Sequence, residues 1–396
     1  MKVLVLAPHP FYQERGTPIA VDLLLRALSE RGDHVDLLTF HEGTQRQYPN
    51  VTIYRIRPWP RVSGIRPGFS LKKLHCDAYL FIELVKRLRK EKYDVIHAVE
   101  EGAFMALLVQ KFTGTPFVYD MDSSMVTQLI DKYAGLRMLE RPLRYAESLP
   151  MRRAASVIPV CEALAQDVRK YRTDNDIVVL KDVSLMGGTT DNEDAEDLRA
   201  EYGLRGKLVL YIGNLESYQG IDLLLRSFAV VASKDADADL VIIGGEDSDI
   251  EKYRGLADEL KVAANVHLLG KRPVKDIGAY MLQADILVSP RTKGVNTPMK
   301  VYSYLHSGVP VLATDLPTHT QVMTDEIAKL APPEPAAFGA AMAELLADTE
   351  LRSRLGTRAR AFIEREHSYE AFKATLYELY AKLEAFAPAG EGGRVR

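Results

Sequence analysis

KLVLYIGNLESYQGIDLLLRSF, residues 207–228, decides the fold. A mostly apolar run ends at Gly213, a short polar loop follows, and Gly220 opens a segment with apolar residues at helical spacing. This is a strand passing through a glycine-bounded turn into a helix. Backbone N–H groups at such a turn can receive a phosphate.

Outward from this unit the same alternation continues. In the first half, KVLVLA (2–7), HVDLLTF (34–40), VTIYRIR (51–57), DVIHAV (94–99), FVYDM (117–121), SVIPV (156–160) and IVVL (177–180) read as strands. After 207–213 come ADLVIIGG (238–245), NVHLLG (265–270), ADILVSP (284–290) and VPVLATD (309–315). Near-continuous apolar strands separated by helices mean parallel sheets covered on both faces. The fold class expected is α/β, with two doubly wound, Rossmann-like domains facing across a cleft. The Gly-rich, then acidic stretch MGGTTDNEDAED (186–197) reads as the linker. The expected domains are residues 1–185, residues 186–366, and a C-terminal part at 367–396 packing back toward the first domain. In that last part SYEAFKATLYELYAKLEAF (368–386) has the spacing of a long amphipathic helix, and the tail beyond it should fray.

With 396 residues the chain can build two sizeable cores, and 47% hydrophobic against 27% charged residues is a globular balance. A formal net charge of −3 excludes a globally basic nucleic-acid binder, so no nucleic-acid partner is expected. Cys76 and Cys161 are the two cysteines; with no CxxC, neither a disulfide framework nor a zinc site is expected, which suits a cytoplasmic setting. The opening MKVLVLAPHP has too short an apolar stretch for a signal peptide and reads as a buried strand. No apolar run approaches the roughly 18 residues that cross a bilayer, so membrane contact should be peripheral.

Ligands of open α/β sheets bind beyond the carboxyl ends of the strands, so the loops there carry the chemistry. After the first strand, Arg15, Gly16 and Thr17 precede a helix and offer N–H groups beside a positive charge; an ordinary capped loop is the alternative. After the fourth, His97 ends the strand and Glu100 and Glu101 follow; these read either as a packed histidine and a helix-start acidic pair or as a catalytic group. Asp120, Asp122 and Ser123 leave the next strand together. In the second half, Lys271 and Arg272 follow a strand. The loop RTKGVNTP brings Arg291, Lys293, Asn296 and Thr297 to a helix start, with Pro298 expected at the first helical position and Lys300 just inside.

RGTPIAVDLLLRALSERGDHVDLLT, DVIHAVEEG, YIGNLESYQGIDLLLRSF, ADILVSP and PMKVYSYLHSGVPVLATD, in this order and spacing, resemble a retaining glycosyltransferase of family 4 with GT-B architecture. The resemblance spans nearly the whole chain. It implies transfer of a sugar from a nucleotide-diphosphate donor, UDP- or GDP-linked, to a glycan or lipid-linked acceptor such as a cell-envelope polysaccharide precursor. It implies no metal and no other cofactor. His97, Glu100 and Asp122 are then the catalytic candidates. The donor candidates are Arg15, Gly16, Thr17, Gly213, Asn214, Gln219, Arg272, Arg291, Lys293, Asn296, Thr297, Lys300 and Ser303.

The chain departs from the family pattern at telling places. The family's diphosphate-clasping Arg and Lys are replaced by Asn214 and Gln219, and the two-glutamate motif by Lys293 or its neighbours and by Ser303. A histidine common two residues after His97 is Val99. Each charge-assisted hydrogen bond is worth about 1.5–3 kcal/mol, so two unreplaced losses would weaken diphosphate binding about 10²–10⁴-fold. The expectation is that Arg15, Arg291, Lys293 and Lys300 take over the charge, with Ser303 bonding a ribose hydroxyl. The mechanism implied is front-face attack with electrostatic stabilisation of the leaving group. The alternative is a catalytically degenerate relative that binds a nucleotide sugar or a partner enzyme; a sugar-nucleotide epimerase on the same architecture has less behind it.

From Val51 to Cys76 there is no acidic residue, and Arg55, Arg57, Arg61, Arg66, Lys72 and Lys73 are interleaved with Tyr54, Trp59 and Phe69. The stretch reads either as a solvated basic loop or as a surface for an anionic membrane and its acceptor.

Overall fold

The computed structural model describes residues 1–13, 16–65, 70–173, 176–186, 195–233, 237–294 and 297–386. Arg15, Arg66, Phe69 and Asn296, most of the stretch read as linker, and the tail beyond Phe386 lie outside the described residues. The chain divides into two compact units, Met1–Lys181 with the chain from Phe372 on, and Asp182–Ala371.

In the first unit the strands are β1 (Lys2–Ala7), β2 (His34–Thr39), β3 (Val51–Arg55), β4 (Val95–Val99), β5 (Phe117–Met121) and β6 (Ser156–Pro159). All pair in parallel in the order β3-β2-β1-β4-β5-β6. Helices α1 (Gly16–Glu30), α2 (Leu71–Lys90), α3 (Gly102–Thr113), α4 (Met125–Lys132), α5 (Glu140–Arg153) and α6 (Glu162–Arg169) connect them. Side chains from Leu4, Leu6, Ile96, Ala98, Phe117, Tyr119 and Val157 form one core with Leu80, Leu84, Ala103 and Ala106 of α2 and α3. The intervening Val3 and Val5 are equally buried, as expected of a sheet covered on both faces.

The second unit contains α7 (Leu198–Tyr202), β7 (Lys207–Ile212), α8 (Ile221–Ala232), β8 (Ala238–Ile243), α9 (Asp247–Glu259), β9 (Val266–Gly270), α10 (Ile277–Leu282) and β10 (Ile286–Ser289). It continues with α11 (Met299–Ser307), β11 (Val311–Thr314), α12 (Pro317–Thr320), β12 (Lys329–Ala331), α13 (Pro335–Ala347) and α14 (Thr349–Glu366). The strand order is β12-β11-β10-β7-β8-β9, again parallel. Val209, Tyr211, Leu240, Ile242 and Val288 face one core with α8, α9 and α13. Their neighbours Leu208, Leu210, Val241, Ile243 and Leu287 face another with α10, α11 and α14. The period-2 alternation thus fills both faces.

The final helix, α15 (Tyr369–Phe386), lies against α1 of the first unit. Tyr377 OH donates to Ala27 O at 3.1 Å, and Lys373 and Arg31 pair with Glu30 and Glu384 at 3.1 and 2.7 Å. Residues 182–186 belong to the second unit because they are bonded there: Ser184 N donates to His367 O at 3.0 Å and Leu185 N to Ser303 Oγ at 3.3 Å. The unit borders therefore fall a few residues from 185/186 and 366/367.

Two strand readings need correction. IVVL (177–180) runs parallel beside β6, with Val178 N donating to Val157 O at 3.0 Å and Leu180 N to Pro159 O at 3.2 Å, but it forms one bridge, Ile177 to Val157, because Pro159 has no N–H to give back. β12, three residues with a lysine first, carries too little apolar pattern to be read as a strand.

In each sheet the strand order reverses once, between β1 and β4 and between β7 and β10. A crevice opens at the carboxyl ends of strands flanking such a point, which is where open α/β sheets hold ligands.

Candidate functional site

In the second unit the loops after β7 and β10 are locked together through their backbones. Thr292 N donates to Tyr218 O at 2.9 Å. Gly220 (φ 76°) starts α8 so close to this loop that a Cβ there would lie 1.9 Å from Pro290 O. Gly213 (φ 154°) likewise leaves room for Lys300: its Cβ would sit 2.9 Å from Nζ. Both positions need glycine for φ and for space.

Lys300, in the first turn of α11, points its ammonium into this glycine-lined corner. Nζ donates to Gln219 Oε1 at 3.3 Å and lies 3.9 Å from the centre of the Tyr211 ring. Tyr211 is held by its hydroxyl, which donates to Asn214 O at 2.7 Å. Burial first, and then the charge of Arg291, holds Lys300 well below the usual lysine range. Arg291 Nε donates to Lys293 O at 2.7 Å and its guanidinium sits 5.1 Å from the Tyr218 ring; burial lowers its pKa too. Thr297 is buried, and its Oγ1 has no hydrogen-bond partner among the described residues. α11 has no side-chain cap.

Two cations lowered in pKa by burial, a buried hydroxyl with no hydrogen-bond partner among the described residues and a helix start with no side-chain cap make this corner electropositive. The ion pairs among the described residues include none between Lys300 or Arg291 and a carboxylate. Pro298 is the cap residue and Met299 the first helical position, so the expectation of Pro298 inside the helix is corrected by one residue.

Other donor candidates are placed differently. Lys293 and Asn214 are exposed on their loops. Ser303 is 9% exposed and its Oγ accepts from Leu185 N, so it anchors residue 185 to α11. Arg272 donates to Leu269 O at 2.9 Å and Tyr202 OH at 2.6 Å and pairs with Glu196 at 3.5 Å, a bracing role within the unit. Sequence reasoning missed His319. It is fully buried, with Nε2 2.8 Å from Ser289 Oγ and Nδ1 3.0 Å from Thr314 O. Burial above all pushes its pKa down to about 4, so it ties β10 to β11 as a neutral ring. Its position four residues after the VLATD strand end was the available signal.

In the first unit, Gly16 and Thr17 form the first turn of α1. His97 is fully buried: Nδ1 is 2.9 Å from Tyr380 OH and Nε2 3.1 Å from Asp120 Oδ2. Both nitrogens are engaged, so the ring braces β4 against β5 and α15 and offers no face to a substrate. Glu100 has left-handed backbone, φ 50°, held by its N–H to Asp120 O at 2.9 Å. A non-glycine residue in this region stores strain that is characteristic of functional loops. Ser123 Oγ donates to its carboxylate at 3.0 Å and receives Gln128 Nε2 at 2.8 Å. Burial and then the charge of Asp122 raise Glu100 well above the usual carboxylate range.

The basic stretch is split by the structure. Arg57, Arg61 and Lys72 are exposed and Trp59 is 81% exposed. Lys73 is turned inward, pairing with Glu101 and donating to Pro8 O at 3.0 Å, and burial lowers its pKa. It is corrected from a surface residue to a strut under the β1 and β4 loops.

The chain matches the family described as Glycosyltransferase Family 4 over residues 15–181 and that described as Glycosyl transferases group 1 over 194–362. A phosphatidyl-myo-inositol mannosyltransferase of Mycobacterium tuberculosis is 24% identical, over 100% of this chain and 99% of its own. Among solved structures, a sucrose-phosphate synthase from Thermosynechococcus elongatus superposes with TM-score 0.79 at 20% identity, covering 98% of this chain and 100% of the other. Anabaena Alr3699/HepE, in complex with UDP, does so at 0.76 and 17%, covering 96% and 100%. Both neighbours share the pair of Rossmann-like domains found here, and with the two family matches following one another along the sequence the chain is a family-4-like glycosyltransferase.

Proposed function

We propose that the protein transfers a hexosyl group from a nucleoside-diphosphate sugar, UDP- or GDP-linked, to a hydroxyl of a glycan or lipid-linked acceptor, with retention and without a metal ion. The observation that carries this is Lys300: a desolvated cation beside Arg291, with a buried Thr297 hydroxyl that has no partner among the described residues at the start of α11. Such a corner is electrostatically incomplete until a polyanion enters. A diphosphate supplies the missing charge.

As the glycosidic bond breaks, negative charge grows on the diphosphate. Lys300, Arg291 and the α11 N–H groups are fixed before reaction and stabilise that charge without reorganising. These cations do the work a divalent ion would otherwise do. The acceptor hydroxyl attacks from the face the diphosphate leaves, which retains configuration. Glu100, whose carboxyl burial and the charge of Asp122 hold well above the usual carboxylate range, and Asp122 orient acceptor hydroxyls in the first unit. The HepE neighbour holds UDP, and the mycobacterial relative is named for a phosphoinositide acceptor, which supports the donor and acceptor classes.

The test is NMR of donor turnover with UDP- and GDP-hexoses, with and without chelator. The reading expects α-donors to release α-configured product at unchanged rate in chelator. Inverted product or loss of turnover on chelation would contradict it.

A further inference from the structure

His319 stands on α12 with its ring bonded at both nitrogens. Nδ1 lies 3.0 Å from Thr314 O and 3.0 Å from Thr314 Oγ1, and Nε2 lies 2.8 Å from Ser289 Oγ. The Thr314 hydroxyl has a further neighbour, Arg291 O, at 2.6 Å. Thr314, Ser289 and His319 are all fully buried. These contacts admit one arrangement of protons. Thr314 O and Arg291 O are carbonyls and can only accept. The Thr314 hydroxyl therefore gives its proton to Arg291 O, and Nδ1 carries the proton that faces Thr314. In the neutral ring Nε2 is then bare and accepts from the Ser289 hydroxyl. Burial above all, with the charges of Lys300 and Arg291 added, pushes the ring's pKa down to about 4, so it is neutral at neutral pH.

This run of bonds ends on the loop that carries the second cation of the donor corner. Arg291 stands two residues beyond Ser289, the last residue of β10. Its Nε donates to Lys293 O at 2.7 Å. Its guanidinium lies against Gly294 (φ 118°), where a Cβ would fall 2.2 Å from Nη2. The charged group is thus tied to its own loop and moves only as that backbone moves. The Arg291 carbonyl is pinned by the Thr314 hydroxyl, and His319 aims that hydroxyl. With Nδ1–H facing the Thr314 oxygens, turning the hydroxyl proton toward the ring would set two protons against each other. Without the ring, the hydroxyl is no longer aimed.

We propose that His319 is a positioning residue of the donor corner, acting through Thr314 to hold Arg291 where a diphosphate meets it. This rests on the reading of that corner as a nucleoside-diphosphate site. The ring acts as a neutral brace, since Ser289 occupies its bare nitrogen and Thr314 its proton. Charge-assisted hydrogen bonds are the strong ones and depend on alignment, so a shift of the Arg291 loop costs affinity.

The experiment is isothermal titration of UDP, GDP and ADP into the full-length wild type and its variants, with a melting curve for each. His319→Gln and Thr314→Val should each bind at least about tenfold more weakly. The two together should bind no more weakly than either alone, because both act on one bond. His319→Asn puts an amide N–H where Nδ1–H stands and should keep an affinity close to wild type. Its melting temperature should still fall, because the Ser289 hydroxyl loses its acceptor. A role in packing alone would make affinity follow melting temperature in every variant. A measurement on the unmutated protein covers the risk of misfolding. With ¹⁵N-labelled histidine, one of the nine rings should be neutral, protonated at Nδ1 and in through-space contact with the Thr314 methyl. A ring protonated at Nε2 in that place, additive losses in the double variant, or a folded His319→Asn protein as weak as His319→Gln would each overturn the proposal. Wild-type binding that His319→Gln and Thr314→Val leave unchanged would overturn the proposal alone. No binding by the folded wild type would overturn the donor reading and the proposal with it.

Discussion

Lys300 Nζ lies 3.9 Å from the centre of the Tyr211 ring and donates to Gln219 Oε1, 3.3 Å away. A ring face and an amide oxygen compensate a buried ammonium only in part. The unliganded protein is therefore less stable than its packing allows. Lys300→Met, of similar volume, should raise the melting temperature of the nucleotide-free protein, by about 1 kcal/mol or more in stability. The same variant should lose nucleotide affinity. Thermal melting with and without ligand reads both effects.

The depressed Lys300 sets a pH dependence with a definite sign. Below its lowered pKa the ammonium is charged in both folded and unfolded chains, and the burial cost is fully present. As pH rises from that value toward the ordinary lysine range, the folded chain sheds its proton first and stability rises. Diphosphate binding runs the opposite way: it takes up a proton above the lowered pKa, and affinity should fall by up to about tenfold per pH unit. Calorimetry in buffers of different ionisation heat should show proton uptake in wild type and none in Lys300→Met.

Glu100 has the reverse sign. Its pKa is raised, so the folded chain keeps a proton the unfolded chain has lost, and stability falls as pH climbs from the ordinary carboxylate range through the raised value. Glu100→Gln should remove that fall and leave nucleotide binding intact, while lowering transfer to acceptor by at least about tenfold if the carboxyl orients it. Melting curves against pH, with a transfer assay, separate the two.

Gly220→Ala should be costly. It places a Cβ 1.9 Å from Pro290 O at a φ of 76°, so the β7 and β10 loops must part. A loss of about 2–4 kcal/mol is expected, with weaker nucleotide binding, by denaturant unfolding and titration.

His97 and Tyr380 make a separate test of bracing against catalysis. Tyr380→Phe leaves His97 Nδ1 without its partner and should cost about 1–3 kcal/mol, with kcat little changed. A large fall in kcat at unchanged stability would restore His97 to the chemistry.

Much of this was legible in the sequence because buried parallel strands carry their signal locally. KLVLYI and ADLVII are apolar but for Lys207 and Asp239 near their starts, and Gly213 and Gly220 punctuate the turn between strand and helix. The positive corner at Arg291 and Lys300 was legible for the same reason, since a helix start after a strand places its residues. What failed depended on distant partners. That Ser303 receives Leu185, far away in sequence, could not be read locally. Lys73 looked like surface charge until the β4 loop supplied Glu101. IVVL lies along β6 as its pattern suggests, but Pro159 on the partner strand has no N–H and limits the pairing to one bridge.

The central claim is that Lys300 and its surroundings hold a nucleoside diphosphate. Isothermal titration of UDP, GDP and ADP into wild type and Lys300→Met tests it most directly. The account predicts saturable binding of at least one diphosphate to wild type, weakened about 10–100-fold in a Lys300→Met protein that melts no lower. Binding unchanged by the substitution, or no binding of any diphosphate by the folded wild type, would contradict it.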